Sequence, residues 1–301
     1  MPLCNLRALS QQTGLPLLEV RLLVEHVTGI TRTQWLTDPE QHISTETLHQ
    51  LEVLLARRAA GEPVAYLLGS AEFFGRPFTV TPDVLIPRPE TEELVEAVLA
   101  YLSSTQAIEA ARLAERADPA TDSTTLAVLM HKPLRVLDVG TGSGVIAITL
   151  ALEYPRLQVH ACDISQAALK IAQSNADTLN APVSFRQSDW LSAFADDEPF
   201  DLIVSNPPYI MAGDRHLEQG DLRFEPVTAL TDHADGLTAY TALAHACKRH
   251  LKPGGSLWVE HGWHQQTDII RIFEQSGLCN VSGHRDLSGN ARLVRAFRPS
   301  H

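Results

Sequence analysis

The chain has 301 residues, 44% hydrophobic and 20% charged, which is the composition of an ordinary folded protein and enough length for two domains. A formal charge of -12 disfavours a body that grips nucleic acid by neutralising phosphates, so a protein or small-molecule substrate fits better. No basic segment followed by an apolar run opens the chain, no stretch reaches the ~18 apolar residues of a membrane span, and Cys4, Cys162, Cys247 and Cys279 lack the spacing of a zinc site or a disulfide framework. The expectation is a cytoplasmic protein with reduced thiols, no metal and no membrane contact.

Residues 1 to about 62 carry a helical signal. Leu17, Val20, Val24 and Val27 keep one apolar face, and Leu48, Leu51 and Leu55 keep another after a Ser44 cap. Gly61-Glu62-Pro63 ends that run, and the stripes are read as a self-packing core rather than a partner groove. Residues 73–80, aromatic and β-branched around Gly75-Arg76-Pro77, predict a hairpin between two domains. Thr91 is placed as the cap of a helix carrying Leu94, Val95, Val98 and Leu102. Residues 103–131 change character and read as an exposed insertion whose first half is helical.

An alternating pattern follows: strand 134–139, helix 144–153, strand 158–162, helix 165–178, strands 183–188 and 200–205, helix 236–250, strand 256–261 and helix 264–276. Such alternation predicts an α/β fold, a mostly parallel sheet with helices on both faces. The segments 281–285 and 293–297, joined through Ser288-Gly289-Asn290, predict an antiparallel pair closing the sheet.

The first strand of that unit runs into Gly140-Thr141-Gly142-Ser143-Gly144, where glycines permit a sharp turn and let a ligand approach backbone. The spacing is Gly-x-Gly-x-Gly and so departs from the dinucleotide fingerprint. It suits S-adenosylmethionine, which has no pyrophosphate to seat on a helix end. Asp163 closes the second strand some 20 residues on, where a carboxylate accepts from both ribose hydroxyls. Beyond the third strand, Ser188-Asp189-Trp190 offers an acid for an adenine amino group and a ring to cover the base. A structural turn, a surface Asp and a buried structural Trp are the alternatives to these three assignments.

Phe200-Asp201-Leu202-Ile203-Val204-Ser205 delivers Asn206-Pro207-Pro208-Tyr209 to the same edge of the sheet. Two prolines fix φ and remove two donors, which leaves a rigid rim of acceptors beside one side-chain amide. Hydrogen bonds from a planar NH2 group to the Asn206 oxygen and the Pro207 carbonyl would orient it as positive charge develops, with Tyr209 packed against it. A simple Pro-Pro turn is the alternative.

With Arg57-Arg58 and Gly61-Glu62-Pro63, Leu85 to Glu92, the glycine loop, Ser205 to Ile210, Arg223-Phe224-Glu225-Pro226 and Glu260-His261-Gly262, the chain resembles the peptide chain release factor glutamine methyltransferases of the HemK or PrmC type. The resemblance covers nearly the whole chain. It implies a helical substrate-recognition domain over 1–70, a hairpin linker over 71–88 and a seven-stranded Rossmann-like class I methyltransferase domain over 89–301, with 103–131 as a departure from the compact pattern. The implied reaction is transfer of a methyl group from S-adenosylmethionine, leaving S-adenosylhomocysteine, to N5 of the glutamine in the Gly-Gly-Gln motif of bacterial class I release factors, proteins of translation termination. Gly140, Thr141, Gly142, Ser143, Gly144, Asp163, Trp190 and Asn206 carry over as cofactor contacts, and Asn206, Pro207, Pro208 and Tyr209 as the clamp on the substrate amide. The enzyme is expected to be a monomer.

The nearest rival is the sister glutamine methyltransferase acting on a ribosomal protein. A DNA adenine-N6 methyltransferase shares the Asn-Pro-Pro-Tyr loop, but it would need a basic DNA-reading region that is not visible. A nucleotide-dependent oxidoreductase or a silent binding module on the same sheet is disfavoured by the glycine spacing and the clamp. The segment Ile86 to Glu92 is read either as a closure over the cofactor's methionine end or as a plain connector. Arg223 and Glu225 are read either as contacts to the substrate protein or as an internal salt bridge.

Overall fold

A computed structural model describes residues 6–38, 42–116 and 133–300. Five helices come first: α1 (Leu6–Thr13), α2 (Leu17–Thr28), α3 (Arg32–Thr37), α4 (Thr45–Ala59) and α5 (Val64–Leu68). Ser44 caps α4, its Oγ accepting from Thr47 N at 3.1 Å. Val20, Leu23, Val24, Leu51 and Leu55 form a small core of their own. The buried face of α2 is turned from the predicted one: Leu17 is 39% exposed and Leu23 takes the inner position, because the packing surface of α4 selects which part of a leucine-rich helix is covered.

The hairpin of β1 (Ser70–Phe73) and β2 (Arg76–Thr79) turns through Phe74 and Gly75, both at positive φ, the geometry of a two-residue turn that matches strand twist. Phe73 and Phe78 meet edge to face at 6.1 Å and enter the main core with Leu94, Val95 and Val98. Those three lie on α6 (Pro89–Arg116), which starts two residues before Thr91. Proline suits a first helical position, where its missing donor costs nothing. Thr91 is therefore inside the first turn and does not cap it. Residues 103–116 of the predicted insertion continue α6, and 117–131 lie outside the described residues, as does Cys4.

Next come β3 (Leu134–Val139), α7 (Val145–Glu153), β4 (Leu157–Asp163), α8 (Gln166–Leu179), β5 (Val183–Gln187), β6 (Phe200–Ser205), the short α9 (Val227–Leu230), α10 (Thr238–His250), β7 (Leu251–Glu260), α11 (Gln266–Gln275), β8 (Cys279–Arg285) and β9 (Ala291–Phe297). The seven strands run in the order β5-β4-β3-β6-β7-β9-β8. β3 to β7 are parallel, and β9 is antiparallel to both β7 and β8, so the sheet is the α/β type with the antiparallel closure that the sequence predicted. β3 sits between β4 and β6, where the chain changes direction across the sheet. In such sheets a crevice opens there, beyond the carboxyl ends of the strands.

β7 begins five residues earlier than predicted. Phe200 pairs with Leu251 and Leu202 with Ser256, so Lys252-Pro253-Gly254-Gly255 bulge out of register. That Pro-Gly-Gly run reads as a turn in sequence, and the sheet absorbs it as a register shift between β6 and β7. Among the described residues no helix is long and apolar enough to cross a membrane, and no group of His, Cys, Asp or Glu is placed to hold a metal ion.

Candidate active site

At the crevice lies a cavity of about 390 Å³ whose wall includes Gly140 to Ser143 of the glycine loop but not Gly144, together with Asp163, Trp190, Asn206, Pro208 and Thr91. The loop turns because Gly140, Gly142 and Gly144 all have positive φ. At Gly144 (φ +86°) a Cβ would also lie 2.8 Å from Ile148 Cδ1 and 3.3 Å from Ala172 Cα, so α7 and α8 approach closely only because the side chain is missing. Most loop donors are spent within the protein. Gly140 N and Thr141 N both donate to Cys162 O, Gly144 N to Thr141 O, and Gly142 N to Asp163 Oδ2 at 2.9 Å. A pyrophosphate nest needs such donors free, so the loop presents backbone for close approach rather than for anion binding.

Asp163 is held by Ser165 N at 2.9 Å on Oδ1 and by Gly142 N on Oδ2. Each carboxylate oxygen keeps a further acceptor site toward the cavity, which is what a ribose diol requires. Burial pushes this carboxyl above its usual range, against the backbone N-H groups of Ser165, Gly142 and Ile164. Trp190, at positive φ, and exposed Asp189 form the wall beyond β5. A diol acceptor, an aromatic wall and donor-poor glycines together fit S-adenosylmethionine.

Beneath the loop sits Asp138, fully buried. Its Oδ2 accepts from Thr141 Oγ1 at 2.6 Å and Ala147 N at 3.2 Å, and its Oδ1 has no partner. Burial drives the carboxyl up to about 7, with the Thr141 and Ala147 bonds opposing. It staples the loop to the first turn of α7.

Of the four clamp residues, Asn206 and Pro208 reach the cavity wall. Pro207 is buried, and the half-buried Tyr209 packs on the core under β6 and β7. Burial, then the charge of Glu260, pushes the Tyr209 phenol up to about 12, and its carbonyl accepts from Gln265 Nε2 at 2.9 Å. Tyr209 is not among the residues that line the cavity.

Asn206 Nδ2 donates to Thr91 Oγ1 at 3.1 Å, and Thr91 Oγ1 donates to Glu260 Oε2 at 2.7 Å. Glu260 is 1% exposed, its Oε1 is unpaired, and burial drives its carboxyl up to about 7. The sequence offers Thr91 only within the Ile86 to Glu92 segment and Glu260 only within the Glu260-His261-Gly262 motif, neither with a role of its own in the site, and it marks no role for Asp138. A signal existed: each acid interrupts an apolar strand run, Val136-Leu137-Asp138-Val139 and Leu257-Trp258-Val259-Glu260.

Glu225, 4% exposed, accepts from Ile86 N at 3.0 Å and pairs with the Arg88 guanidinium. Arg223 Nη2 donates to Ala60 O at 2.7 Å, and Arg58 bridges Glu19 (2.6 Å) and Asp221 (3.3 Å). Both Arg223 and Glu225 thus have internal partners: one ties the loop after the clamp to the end of α4, and the other ties it to the connector before α6. Arg88 and Thr91 also line the cavity, so the segment Ile86 to Glu92 forms part of its wall.

Two family models match the chain, the PrmC N-terminal domain over residues 6–69 and the methyltransferase small domain over residues 114–220. The catalytic domain of hMettl16 in complex with an RNA hairpin superposes with a TM-score of 0.53 at 13% identity, over 89% of this chain and 85% of that one, a likeness of fold alone. The release factor glutamine methyltransferase of Bordetella pertussis is 46% identical over 97% of this chain and 98% of its own length. That of Escherichia coli is 40% identical over 94% and 93%. Likeness of this degree extends over nearly the whole of both chains, and the chain belongs to the release factor glutamine methyltransferase family.

Proposed function

We propose that the protein transfers a methyl group to N5 of the glutamine in the Gly-Gly-Gln motif of class I peptide chain release factors, with Asn206 as the group that receives the substrate amide. The observation that carries this reading is the free Oδ1 of Asn206 on the cavity wall at the end of β6, next to the glycine loop. An amide NH2 offers two protons and a delocalised lone pair. An acceptor that holds one proton orients the nitrogen and favours the positive charge it gains. Pro208 stiffens the rim on which that acceptor sits.

S-adenosylmethionine is the methyl donor, and bound in the cavity it supplies an electrophilic methyl group. Asp163 would hold its ribose, Trp190 would cover its base, and residues 140–144 would lie along its length. The nitrogen loses its proton after transfer, so no strong general base is required. Residues 1–70 form the substrate-recognition domain, 71–88 the linker and 89–301 the methyltransferase domain; the separate helical core and the match over 6–69 support that division. The protein acts as a cytoplasmic monomer on a protein partner, and its charge of -12 speaks against direct nucleic-acid binding.

The test is transfer of label from S-adenosylmethionine to purified release factor. Label on DNA, or on a release factor whose motif glutamine is replaced by alanine, overturns the substrate. Asn206→Ala should lower kcat by roughly 10²–10³-fold while cofactor affinity, read by calorimetry, stays within a few-fold.

A further inference from the structure

We propose that Glu260, acting through Thr91, fixes the sense of the Asn206 side-chain amide so that its oxygen, and not its NH2, faces the substrate. This rests on the reading above that Asn206 receives an amide nitrogen. Both are positioning residues: they act on Asn206.

The argument is a count of protons along a chain of three side chains. A threonine hydroxyl has one proton and two lone pairs, and an ionised carboxylate can only accept. Glu260 Oε2 stands 2.7 Å from Thr91 Oγ1, so the single hydroxyl proton is committed to the carboxylate. Thr91 can then offer Asn206 only a lone pair. The Asn206 Nδ2 takes it at 3.1 Å, and the reversed amide would set two acceptor oxygens against each other at that distance. Oδ1 is thereby left to the cavity, and no group among the described residues bonds it. The usual ambiguity of an asparagine amide is removed by a charge two bonds away.

Protonation of Glu260 reverses this logic. A Glu260 protonated on Oε2, the oxygen that meets Thr91, donates to Thr91, and the hydroxyl proton is free to turn toward Asn206. The amide then gains by flipping, and its Nδ2 faces the cavity, where it would meet the N-H groups of the substrate. The chain therefore discriminates in favour of an NH2 substrate only while Glu260 is charged. Burial works against that charge. So does Glu90 on α6, whereas Arg88 in the connector before α6 and Arg292 on β9 favour it. The remaining titratable neighbours are phenols and an imidazole. Tyr209 lies after β6, and Tyr240 on α10 donates to the Glu260 backbone carbonyl at 3.0 Å. His261 follows in the chain, and burial holds its ring toward the neutral form. With the carboxyl at about 7, the switch falls in a range that can be titrated on the folded protein.

The experiment uses the full chain with release factor as substrate at saturating S-adenosylmethionine, and records kcat from pH 5.5 to 9. The wild type should lose kcat on an acid limb near pH 7. Thr91→Val, which keeps shape and removes the hydroxyl, should lower kcat about 10- to 100-fold with the KM for S-adenosylmethionine within threefold. Thr91→Ser should recover most of that loss. Glu260→Gln, neutral at every pH, should flatten the acid limb. A Thr91→Val kcat within twofold of wild type overturns the proposal. So does an acid limb that survives in Glu260→Gln, which also decides the matter should Thr91→Val fail to fold.

One arm needs no substrate. The Asn206 side-chain NH2 signal in a 15N spectrum, assigned by its loss in Asn206→Ala, should shift with pH near 7 in the wild type and stay fixed in Glu260→Gln. A signal that is invariant in both overturns the proposal even if release factor proves to be the wrong substrate. Absence of label on release factor from an active wild type overturns only the substrate.

Discussion

The two halves of the cavity each rest on a buried carboxyl pushed up to about 7, Asp138 under the glycine loop and Glu260 behind Asn206. Their partners differ in origin. Asp138 bonds Thr141 and Ala147, three and nine residues along the chain. Glu260 bonds Thr91, 169 residues away, and Thr91 in turn holds Asn206, 115 residues away. The buried acid of the cofactor half thus joins one strand, one turn and one helix that follow each other in the chain, while that of the substrate half joins three distant segments that only the closed sheet brings together. A defect in the first should act on stability and cofactor affinity, and a defect in the second on the orientation of the reacting group.

The sharpest way to break this contrast is at Gly144. Alanine there must hold φ +86° and place its Cβ 2.8 Å from Ile148 Cδ1 and 3.3 Å from the Ala172 backbone. Backbone strain and overpacking together should cost about 3 kcal/mol in a urea melt and lower the affinity for S-adenosylhomocysteine at least tenfold. A variant as stable as wild type with normal affinity would mean that the loop does not depend on its local turn.

Next in size is pH dependence. The Asp138 carboxyl titrates near 3.8 when exposed and at about 7 when folded, so between those values the native state holds a proton that the unfolded chain has released. Stability from this group therefore falls as pH rises through the window and levels off above 7. Glu260, moved from 4.5 to about 7, adds a slope of the same sign. Within its window each group gives a slope of about 1.4 kcal/mol per pH unit. Asp138→Asn keeps an acceptor for Thr141 and Ala147 and should flatten part of the stability slope while leaving the acid limb of kcat in place. Glu260→Gln should flatten both. If Asp138→Asn also removes the acid limb, the two halves are not separate in function.

The same contrast explains what could be read from the chain. Residues 134–163 announce themselves because an apolar strand, glycines at fixed spacing and an acid at the end of the next strand are local signals. Asn206 and Pro208 were legible as a rigid rim for the same reason. Thr91 was not: an Asp/Ser/Thr before an apolar helix reads as a cap, and nothing nearby in sequence says that its hydroxyl meets Glu260 across the sheet. Tyr209 reads as packing on the substrate amide, and the fold adds a contact that the sequence does not signal, with its half-buried ring packed against the core. The bulge at Lys252-Pro253-Gly254-Gly255 hid the start of β7 because turn chemistry and strand irregularity share the same letters. Periodicity puts Leu17 inward, yet it is 39% exposed, because periodicity marks an apolar arc and the partner helix chooses its centre.

The smallest effect tests whether a remote contact in the substrate half is internal. Glu225 is 4% exposed and holds both Ile86 N and the Arg88 guanidinium, which fixes the connector before α6 against the loop that follows the clamp. Glu225→Gln keeps one carbonyl oxygen for Ile86 or Arg88 and turns an NH2 group toward the other. Arg88 is partly exposed and can recover water, so the loss should be about 1.5 kcal/mol rather than that of a stranded buried charge. A pair that serves the fold should show this loss in a melt and leave the KM for release factor within twofold. A KM raised tenfold at unchanged stability would instead place Glu225 against the substrate protein, since loss of a contact made only in the complex leaves the free enzyme as stable as before. The buried pair with Arg88 argues for the first outcome: a carboxylate already holding a backbone donor and a guanidinium has little left to offer an incoming protein.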